Sequence, residues 1–248
     1  GLADGTQPIQ SEDSSLSIVC NGEIYDYPDH RSALEKRGHR FRTSTDTEVL
    51  LHAYEESGPD CLQELNGQFA AAIWDNRRRR LFLARDRLGI RPLHYALLRN
   101  TLVFASEIKG ILASGLISTG LSSTVLNHIF TFWTPLPGET PFTGINELEP
   151  GHYALFDADG LKKKRYWRIP LYPRSHHRDE SPQVFAEEIR ESLLASIKRR
   201  LRADVPVGAY LSGGLDSSGV CACIARHFNA DLHTFGIRFE DDVFDEGH

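Results

Sequence analysis

The stretch SGGLDSS, residues 212–218, places two glycines and three hydroxyls around one carboxylate, directly after the apolar run VPVGAYL. Glycines allow positive φ and a close approach of backbone amides to a ligand. The serine hydroxyls and the start of a following helix add donors, so the loop is suited to binding phosphate. Asp216 would repel a bare phosphate, but its carboxylate is a suitable ligand for a Mg²⁺ ion that itself binds phosphate oxygens.

The same loop has a simpler alternative, a Gly/Ser turn in which Asp216 caps the next helix. The loop matches neither the Walker A pattern GxxxxGK[ST] nor the dinucleotide pattern GxGxxG. Its position between a buried strand and a helix favours the phosphate site, because parallel α/β sheets bind ligands at the carboxyl ends of their strands.

A second candidate site is Asn21-Gly22 in LSIVCNGEIYD. The alternation of Leu16, Ile18 and Cys20 predicts a strand that enters a turn at Asn21-Gly22. A side-chain amide and a backbone N–H at such a strand end can stabilise the oxyanion of an acyl transfer. An Asn-Gly turn is common, so the pair alone is weak evidence.

The predicted helices and strands that position these residues follow different patterns before and after a polar, proline-containing stretch at 170–182. Before it, short helices and strands predict an α+β domain with antiparallel sheets; GQFAAAIWD, RLFLARD, PLHYALL and TLVFASE are predicted to form one meander. After it, an amphipathic helix and a strand–helix–strand unit predict an α/β domain with a parallel sheet. We therefore predict one domain at 1–169, a linker at 170–182 and the start of a second domain at 183–248.

Composition narrows the function classes. The chain has 248 residues, 40% of them hydrophobic, and a net charge of −6, which argues against a nucleic-acid surface. The RRRR run at 77–80 is predicted to be a solvated hairpin turn, and HHRDE at 176–180 a solvated part of the linker rather than a metal site. The four cysteines form no CxxC and are predicted to be reduced; with no signal peptide and no membrane span, this predicts a cytoplasmic protein.

Longer motifs carry a family resemblance. SGGLDSS resembles the pyrophosphate loop of the PP-loop ATP pyrophosphatases, which cleave ATP between the α and β phosphates. NGEIYD, STDTEVLLHAYEESG, GQFAAAIWD, LFLARDRLGIRPLHY and FASEIKG resemble, in order, the glutaminase half of glutamine-hydrolysing asparagine synthetases. The resemblance implies an N-terminal-nucleophile-type (class II) glutaminase followed by a PP-loop domain. It also implies glutamine, aspartate and ATP as substrates, Mg²⁺ as cofactor, and asparagine, glutamate, AMP and pyrophosphate as products.

The resemblance also assigns roles to individual residues. Asn21 and Gly22 would form the oxyanion hole, and Glu23 and Asp46 would bind glutamine, with Asp46 alternatively the N-cap of the next helix. Asp216 would bind Mg²⁺, and Leu211 and Ile237 would contact adenosine, Ile237 being alternatively a residue of the sheet core. The loop residues that would hold the β and γ phosphates are Ser212, Gly213, Gly214, Ser217 and Ser218.

The resemblance places the family's nucleophilic cysteine upstream of Gly1 and the aspartate site beyond His248, so we expect a fragment that is inactive by itself. Cys20 is expected to be a strand residue and not the nucleophile. A β-lactam synthetase-like enzyme or another amidotransferase that adenylates a different carboxylate is an open alternative, as is a non-catalytic nucleotide-binding module. A homodimer is a further expectation.

Overall fold

In a computed structural model, which describes residues 4–228 and 232–239, the chain divides into two units, Gly1–Pro170 and Leu171–His248. The stretch expected to be a linker, 170–182, contains one 3-10 turn, Arg174–His176, and the next helix starts at Pro182. The domain limits given above stay a prediction. No helix among the described residues combines the length and apolarity that a bilayer crossing requires.

The first unit contains two antiparallel sheets. The strands are β1 (Ile9–Gln10), β2 (Leu16–Ile24), β3 (Gly67–Asp75), β4 (Arg80–Arg85), β5 (His94–Leu98), β6 (Thr101–Ala105), β7 (Ile145–Glu147), β8 (His152–Asp157) and β9 (Gly160–Arg165). Six of them form one sheet in the order β1-β2-β3-β4-β8-β9, and three form another in the order β6-β5-β7. The helices are α1 (Tyr27–Lys36), α2 (Asp46–Ser57), α3 (Ile108–Ala113) and α4 (Ser123–Phe132), with a 3-10 helix at Gly58–Gln63.

Alternation along β3 explains how these elements stack. Ala71 and Ile73 pack on the side of α2, with Leu50 among their neighbours in the largest core cluster. Ala70 and Ala72 face the opposite way and belong to a core cluster that includes residues of the second sheet. That second sheet packs its other side on α3 through Ile111, Ala96 and Ile145. Helix, sheet, sheet and helix therefore form successive layers, because successive side chains of a strand point to opposite faces.

Two details of the expected organisation are wrong. Asn21-Gly22 is not a turn, because β2 continues to Ile24 and pairs with β3 in register as far as Gly67. The expected four-stranded meander is two hairpins in different sheets: β3 and β4 belong to the six-stranded sheet, whereas β5 and β6 belong to the three-stranded one. The RRRR turn does connect β3 and β4, as expected. A second tight turn, DADG at 157–160, connects β8 and β9.

The second unit contains α5 (Pro182–Arg200), β10 (Gly208–Tyr210), α6 (Leu215–His227) and β11 (His233–Phe235). β10 and β11 pair in parallel, as the strand–helix–strand pattern predicts. The helix α5 was expected to be amphipathic, with an apolar stripe along Phe185, Ile189, Leu193, Ile197 and Leu201. Of these residues only Ile197 is buried, whereas Ile189 is 68% exposed. The fold class, an α+β unit with antiparallel sheets followed by an α/β unit with a parallel sheet, is confirmed.

A buried carboxylate holds the segment after β4. Asp86 is 1% exposed, and its two oxygens accept hydrogen bonds of 3.0–3.2 Å from four backbone N–H groups. These donors belong to Phe69, Leu88, Ile90 and Arg91. A carboxylate with this many charge-assisted bonds fixes the local backbone strongly.

Arg85 completes this centre. Its guanidinium donates to the carbonyls of Arg91, Gly89 and Leu148 at 2.7–2.8 Å and pairs with Glu147 at 2.9 Å. Leu148 and Glu147 lie at the end of β7, so one buried side chain connects strands of both sheets. Arg85 and Asp86 thus join β3, β4, β7 and the 88–91 turn.

Replacing Asp86 by Asn tests this centre. We expect the free energy of unfolding to fall by about 3–5 kcal/mol, because an amide keeps one acceptor oxygen and turns an N–H group toward backbone donors. The measurement is urea unfolding followed by tryptophan fluorescence, which reports the first unit since all three tryptophans, Trp74, Trp133 and Trp167, lie in it. The control Asp159→Asn, in the exposed β8–β9 turn, should stay within about 0.5 kcal/mol. Equal losses in the two variants would contradict the role assigned to Asp86.

Candidate functional site

The free edge of β2 forms the first candidate site. Cys20 donates its N–H to Oε1 of Gln7 at 2.6 Å and accepts at its carbonyl from Nε2 of Gln7 at 2.9 Å. Ile24 donates its N–H to Oδ2 of Asp46, also at 2.6 Å. Both residues therefore direct backbone groups away from β3. Strand alternation places the N–H of Gly22, midway between them, on the same edge.

The partner of Gly22 across the ladder supports this orientation. Gly22 lies opposite Phe69, whose N–H and carbonyl are used on the other side by Asp86. Gly22 and Phe69 are therefore a non-hydrogen-bonded pair. Among the described residues, no acceptor is hydrogen-bonded to the N–H of Gly22. This N–H therefore remains available to a ligand between Gln7 and Asp46.

Position 22 accepts no side chain. Its φ is +152°, and a Cβ built there would lie 2.1 Å from the carbonyl oxygen of Gln68 and 2.5 Å from Cα of Phe69. Both contacts are with backbone and cannot be relieved by a rotamer change. A glycine is therefore required for β2 to pair with β3 here and to present its N–H on the open edge.

Asn21 points into a cavity beside this edge. Its Nδ2 donates to Oγ of Ser106 at 3.2 Å, and both residues line a cavity of about 240 Å³ together with Gln7, Cys20 and Phe104. An amide donor on the wall of such a cavity can meet a substrate carbonyl oxygen, and Gly22 N–H lies next to it along the chain.

Asp46 is the first residue of α2, and the helix is capped by its neighbour. Thr45 has the extended conformation of an N-cap, and its Oγ1 accepts from the N–H of Glu48 at 3.3 Å. The alternative that Asp46 is the N-cap is therefore wrong. Oδ2 of Asp46 binds the N–H of Ile24, while no described residue hydrogen-bonds Oδ1, which leaves one carboxylate oxygen for a cation. Glu23 follows Asn21 and Gly22 on β2, opposite Gln68.

Cys20 lines the cavity but is a poor nucleophile. Burial, and secondly the charge of Asp46, raises the pKa of its thiol to about 12. The thiolate fraction at neutral pH is then about one part in 10⁵. Burial also raises the pKa of Cys61 to about 12. The expectation that Cys20 is a strand residue agrees with its place in β2, and all four cysteines are free thiols.

The serine–glycine loop of the second unit forms the other candidate site. Oγ of Ser217 accepts from the N–H of Ser212, lies 3.1 Å from Oγ of Ser212, and donates to the carbonyl of Gly214 at 3.1 Å. Gly213 has φ of +83°, a conformation that favours glycine. Two serines thus fold the loop over the start of α6, and Gly214 is the N-cap without any side-chain cap.

The loop is open to solvent, and Asp216 is not the helix cap. Asp216 lies in the first turn of α6, is exposed, and has no ion pair or hydrogen bond with another described residue. Ser218 donates its N–H to the carbonyl of Gly214, as an ordinary helical residue does. The donor set, backbone amides and hydroxyls at a helix N-terminus with one unengaged carboxylate, fits a phosphate group bound together with Mg²⁺.

A cavity of about 430 Å³ adjoins the loop at the carboxyl ends of β10 and β11. Leu211, Ser212 and Ile237 line it with three aromatic or apolar neighbours and Gly236. Ile237 is 76% exposed and lies two residues beyond β11, so it is not a residue of the sheet core. The location matches the rule that open parallel sheets bind ligands at strand carboxyl ends.

The structure therefore gathers the expected residues into two groups, each within its own unit. Two contributors were missed at the sequence level. Gln7 and Ser106 lie 14 and 85 residues from Asn21 along the chain, and only the folded sheet brings them to the cavity. The quoted motif FASEIKG contains Ser106, which is the one signal that could have indicated it.

Comparisons with known proteins find two families along the chain, one in each unit. Residues 1–167 match the glutamine amidotransferase domain family, and residues 188–248 match the asparagine synthase family. Asparagine synthetase [glutamine-hydrolyzing] 3 of Bacillus subtilis is 41% identical over 97% of this chain and 40% of its own length. Amidase chyE of Penicillium rubens is 34% identical over 89% of this chain and 32% of its own length. The chain thus spans less than half of either relative.

Among solved structures, a glutamine phosphoribosylpyrophosphate amidotransferase from Bacillus subtilis matches with a TM-score of 0.49 and 20% identity, over 93% of this chain and 48% of that one. The resemblance that the motifs indicated is confirmed at the level of the two matched families. The chain belongs to the glutamine amidotransferase family, and it resembles glutamine-hydrolysing asparagine synthetases over nearly its whole length.

Proposed function

We propose that the protein containing this chain is a glutamine-dependent asparagine synthetase. The observation that carries the proposal is the presence, in one chain, of an oxyanion-type site on the β2 edge and an open serine–glycine loop at the start of α6. Glutamine and water give glutamate and ammonia at the first site. At the second, aspartate and ATP give β-aspartyl-AMP and pyrophosphate, and ammonia then displaces AMP to give asparagine.

In the first unit, the cavity beside Asn21 receives the side chain of glutamine. The amide of Asn21 and the N–H of Gly22 donate to the carbonyl oxygen as it gains negative charge. The open oxygen of Asp46 binds the α-ammonium group, with Glu23 assisting, and its charge distinguishes a free amino acid from a peptide. The attack on the amide is not assigned to Cys20, because its thiol remains protonated.

In the second unit, the loop binds the β and γ phosphates of ATP through its amides and hydroxyls. The residues proposed for this are Ser212, Gly213, Gly214, Ser217 and Ser218. Leu211 and Ile237 contact the adenosine in the adjoining cavity. Asp216 would hold Mg²⁺, which supplies positive charge to the leaving pyrophosphate.

The proposal extends to location and assembly. Four free thiols support a cytoplasmic protein, since disulfides persist mainly in oxidising compartments. A homodimer stays a prediction that light scattering of the full-length protein can check.

A second candidate function is amidation of a carboxylate other than aspartate. This alternative is supported by the similarity to two proteins named amidases, from Penicillium rubens and Gibberella zeae, each 34% identical to this chain. Pyrophosphate release by the full-length protein, compared between aspartate and other carboxylic acids, separates the two candidates.

Replacing Asn21 by Ala in the full-length protein tests the glutaminase site. We expect glutamine-dependent asparagine formation to fall by about 10²–10³-fold, because one oxyanion donor is removed. Synthesis from added ammonia should be unchanged, since it bypasses this site. The control Asn76→Ala, exposed beyond β3, should affect neither reaction. Parallel loss of both reactions would contradict the assignment.

Replacing Asp46 by Asn tests its negative charge while keeping its hydrogen bond to Ile24. The amide oxygen can still accept from the N–H of Ile24, but the negative charge is gone. We expect KM for glutamine to rise by about 10–100-fold, since hydrogen bonds to charged groups contribute about 1.5–3 kcal/mol. Steady-state kinetics against glutamine measures this, with the exposed Asp29→Asn as control. An unchanged KM would show that Asp46 does not bind the α-ammonium group.

Replacing Asp216 by Asn tests the metal role in the PP-loop. We expect pyrophosphate release to fall by at least about 100-fold with glutamine or ammonia as nitrogen source, because the leaving group loses its metal contact. Folding should be unaffected, because no described residue pairs with Asp216. The exposed Glu191→Gln on α5 is the control. Full activity of the Asp216 variant at low Mg²⁺ would refute the role.

A further inference from the structure

Four potential metal ligands converge beside α2. His52 and Glu55 lie on α2, His39 lies in the connection between α1 and α2, and Glu12 lies in the turn between β1 and β2. One ligand atom of each residue lies within 4.8 Å of the others. Among the described residues this is the one group of three or more such side chains found.

The separations between these atoms suit a single tetrahedral ion. Nδ1 of His52 is 3.3 Å from Oε2 of Glu55 and 3.9 Å from Oε2 of Glu12, and Nδ1 of His39 is 3.5 Å from Oε2 of Glu55. With zinc–ligand bonds of about 2.0–2.2 Å, the ligand atoms of a tetrahedron are about 3.3 Å apart. These three separations lie within about 0.6 Å of that value, and the remaining pairs lie within 4.8 Å, so side-chain rotations can bring the four atoms around one ion.

The surroundings orient the ligands. Nε2 of His39, the nitrogen remote from the cluster, lies 2.9 Å from Oε1 of Glu56, the carboxylate–histidine arrangement typical of metal sites. Oε1 of Glu12 accepts from the N–H of Arg40 at 2.7 Å, which leaves its Oε2 facing the cluster. The ring of Phe41 packs on His52, with ring centroids 4.7 Å apart.

The cluster is buried at its histidines and partly exposed to solvent at Glu12. The side chain of His52 is 0% exposed, and its Nε2 has no hydrogen bond, the nearest carboxylate oxygen being that of Glu48 at 3.7 Å. His39 is 11% exposed, and Glu12 is 33% exposed and forms the outer wall. An ion can therefore enter past Glu12 and then lie against buried imidazole.

We propose that Glu12, His39, His52 and Glu55 form a structural Zn²⁺ site. Two imidazoles with two carboxylates suit Zn²⁺ better than Mg²⁺ or Ca²⁺, which prefer oxygen ligands. Two carboxylates also balance the charge of the ion. Zinc would join α2 to the β1–β2 turn and to the connection that precedes α2, and so fix the segment that ends at Asp46.

Zinc titration of the full chain, produced without a histidine tag, tests the site. We expect isothermal calorimetry with zinc chloride to show one ion bound per chain, and X-ray absorption to show four nitrogen or oxygen ligands at about 2.0–2.1 Å without sulfur. Zinc should raise Tm, whereas magnesium chloride should not, because a ligand that binds the native state stabilises it.

Two ligand variants avoid the buried His52 and keep the test valid. His39→Gln and Glu12→Gln should each weaken zinc binding by at least about 10-fold and remove the rise in Tm. The control replaces both exposed linker histidines, His176→Gln and His177→Gln, and should bind zinc as the natural chain does. Absence of zinc binding, sulfur ligands, loss in the control, or unchanged binding in both ligand variants would overturn the proposal.

Discussion

The candidate site on the edge of β2 depends on the hydrogen bonds of one buried residue, Asp86. The carboxylate accepts from the N–H of Phe69, and the backbone N–H of Asp86 donates to the carbonyl of Phe69, so both backbone groups of Phe69 point away from β2. Gly22, the residue opposite, is therefore left in a non-hydrogen-bonded position, and its N–H faces the open edge of the sheet. Arg85 holds the same segment from the other side, so the donor on β2 is positioned by charges two strands away.

The two candidate sites use the same physical device in different folds. In each, a glycine brings backbone close to the ligand position, and an aspartate occupies the first turn of a helix. Asp46 begins α2 and Asp216 begins α6. A carboxylate there lies at the positive end of the helix dipole and offers a negative charge beside neutral backbone donors. Such a pairing can bind a zwitterion or a metal–phosphate group.

The sequence could predict elements whose signal is local. Alternation in β2, the RRRR hairpin turn and the parallel strand–helix–strand unit all depend on neighbouring residues, and the structure contains them. The Asn21-Gly22 turn was wrong because Gly22 serves a close contact between strands rather than a reversal, and composition cannot distinguish these uses. The division of the strands between two sheets was also missed, because β7 pairs with β5 across 49–53 residues of sequence.

Gln7 limits how much of the β2 edge is open to other molecules. Its side-chain amide binds both backbone groups of Cys20 in the way that a residue of a further strand would. An exposed strand edge ordinarily invites pairing with another chain and hence aggregation. Gln7 occupies the edge at Cys20 and Asp46 occupies it at Ile24, so Gly22 is the one residue between them whose outward-directed N–H is open. A small molecule can reach Gly22 through it, whereas an extended polypeptide cannot add to the sheet.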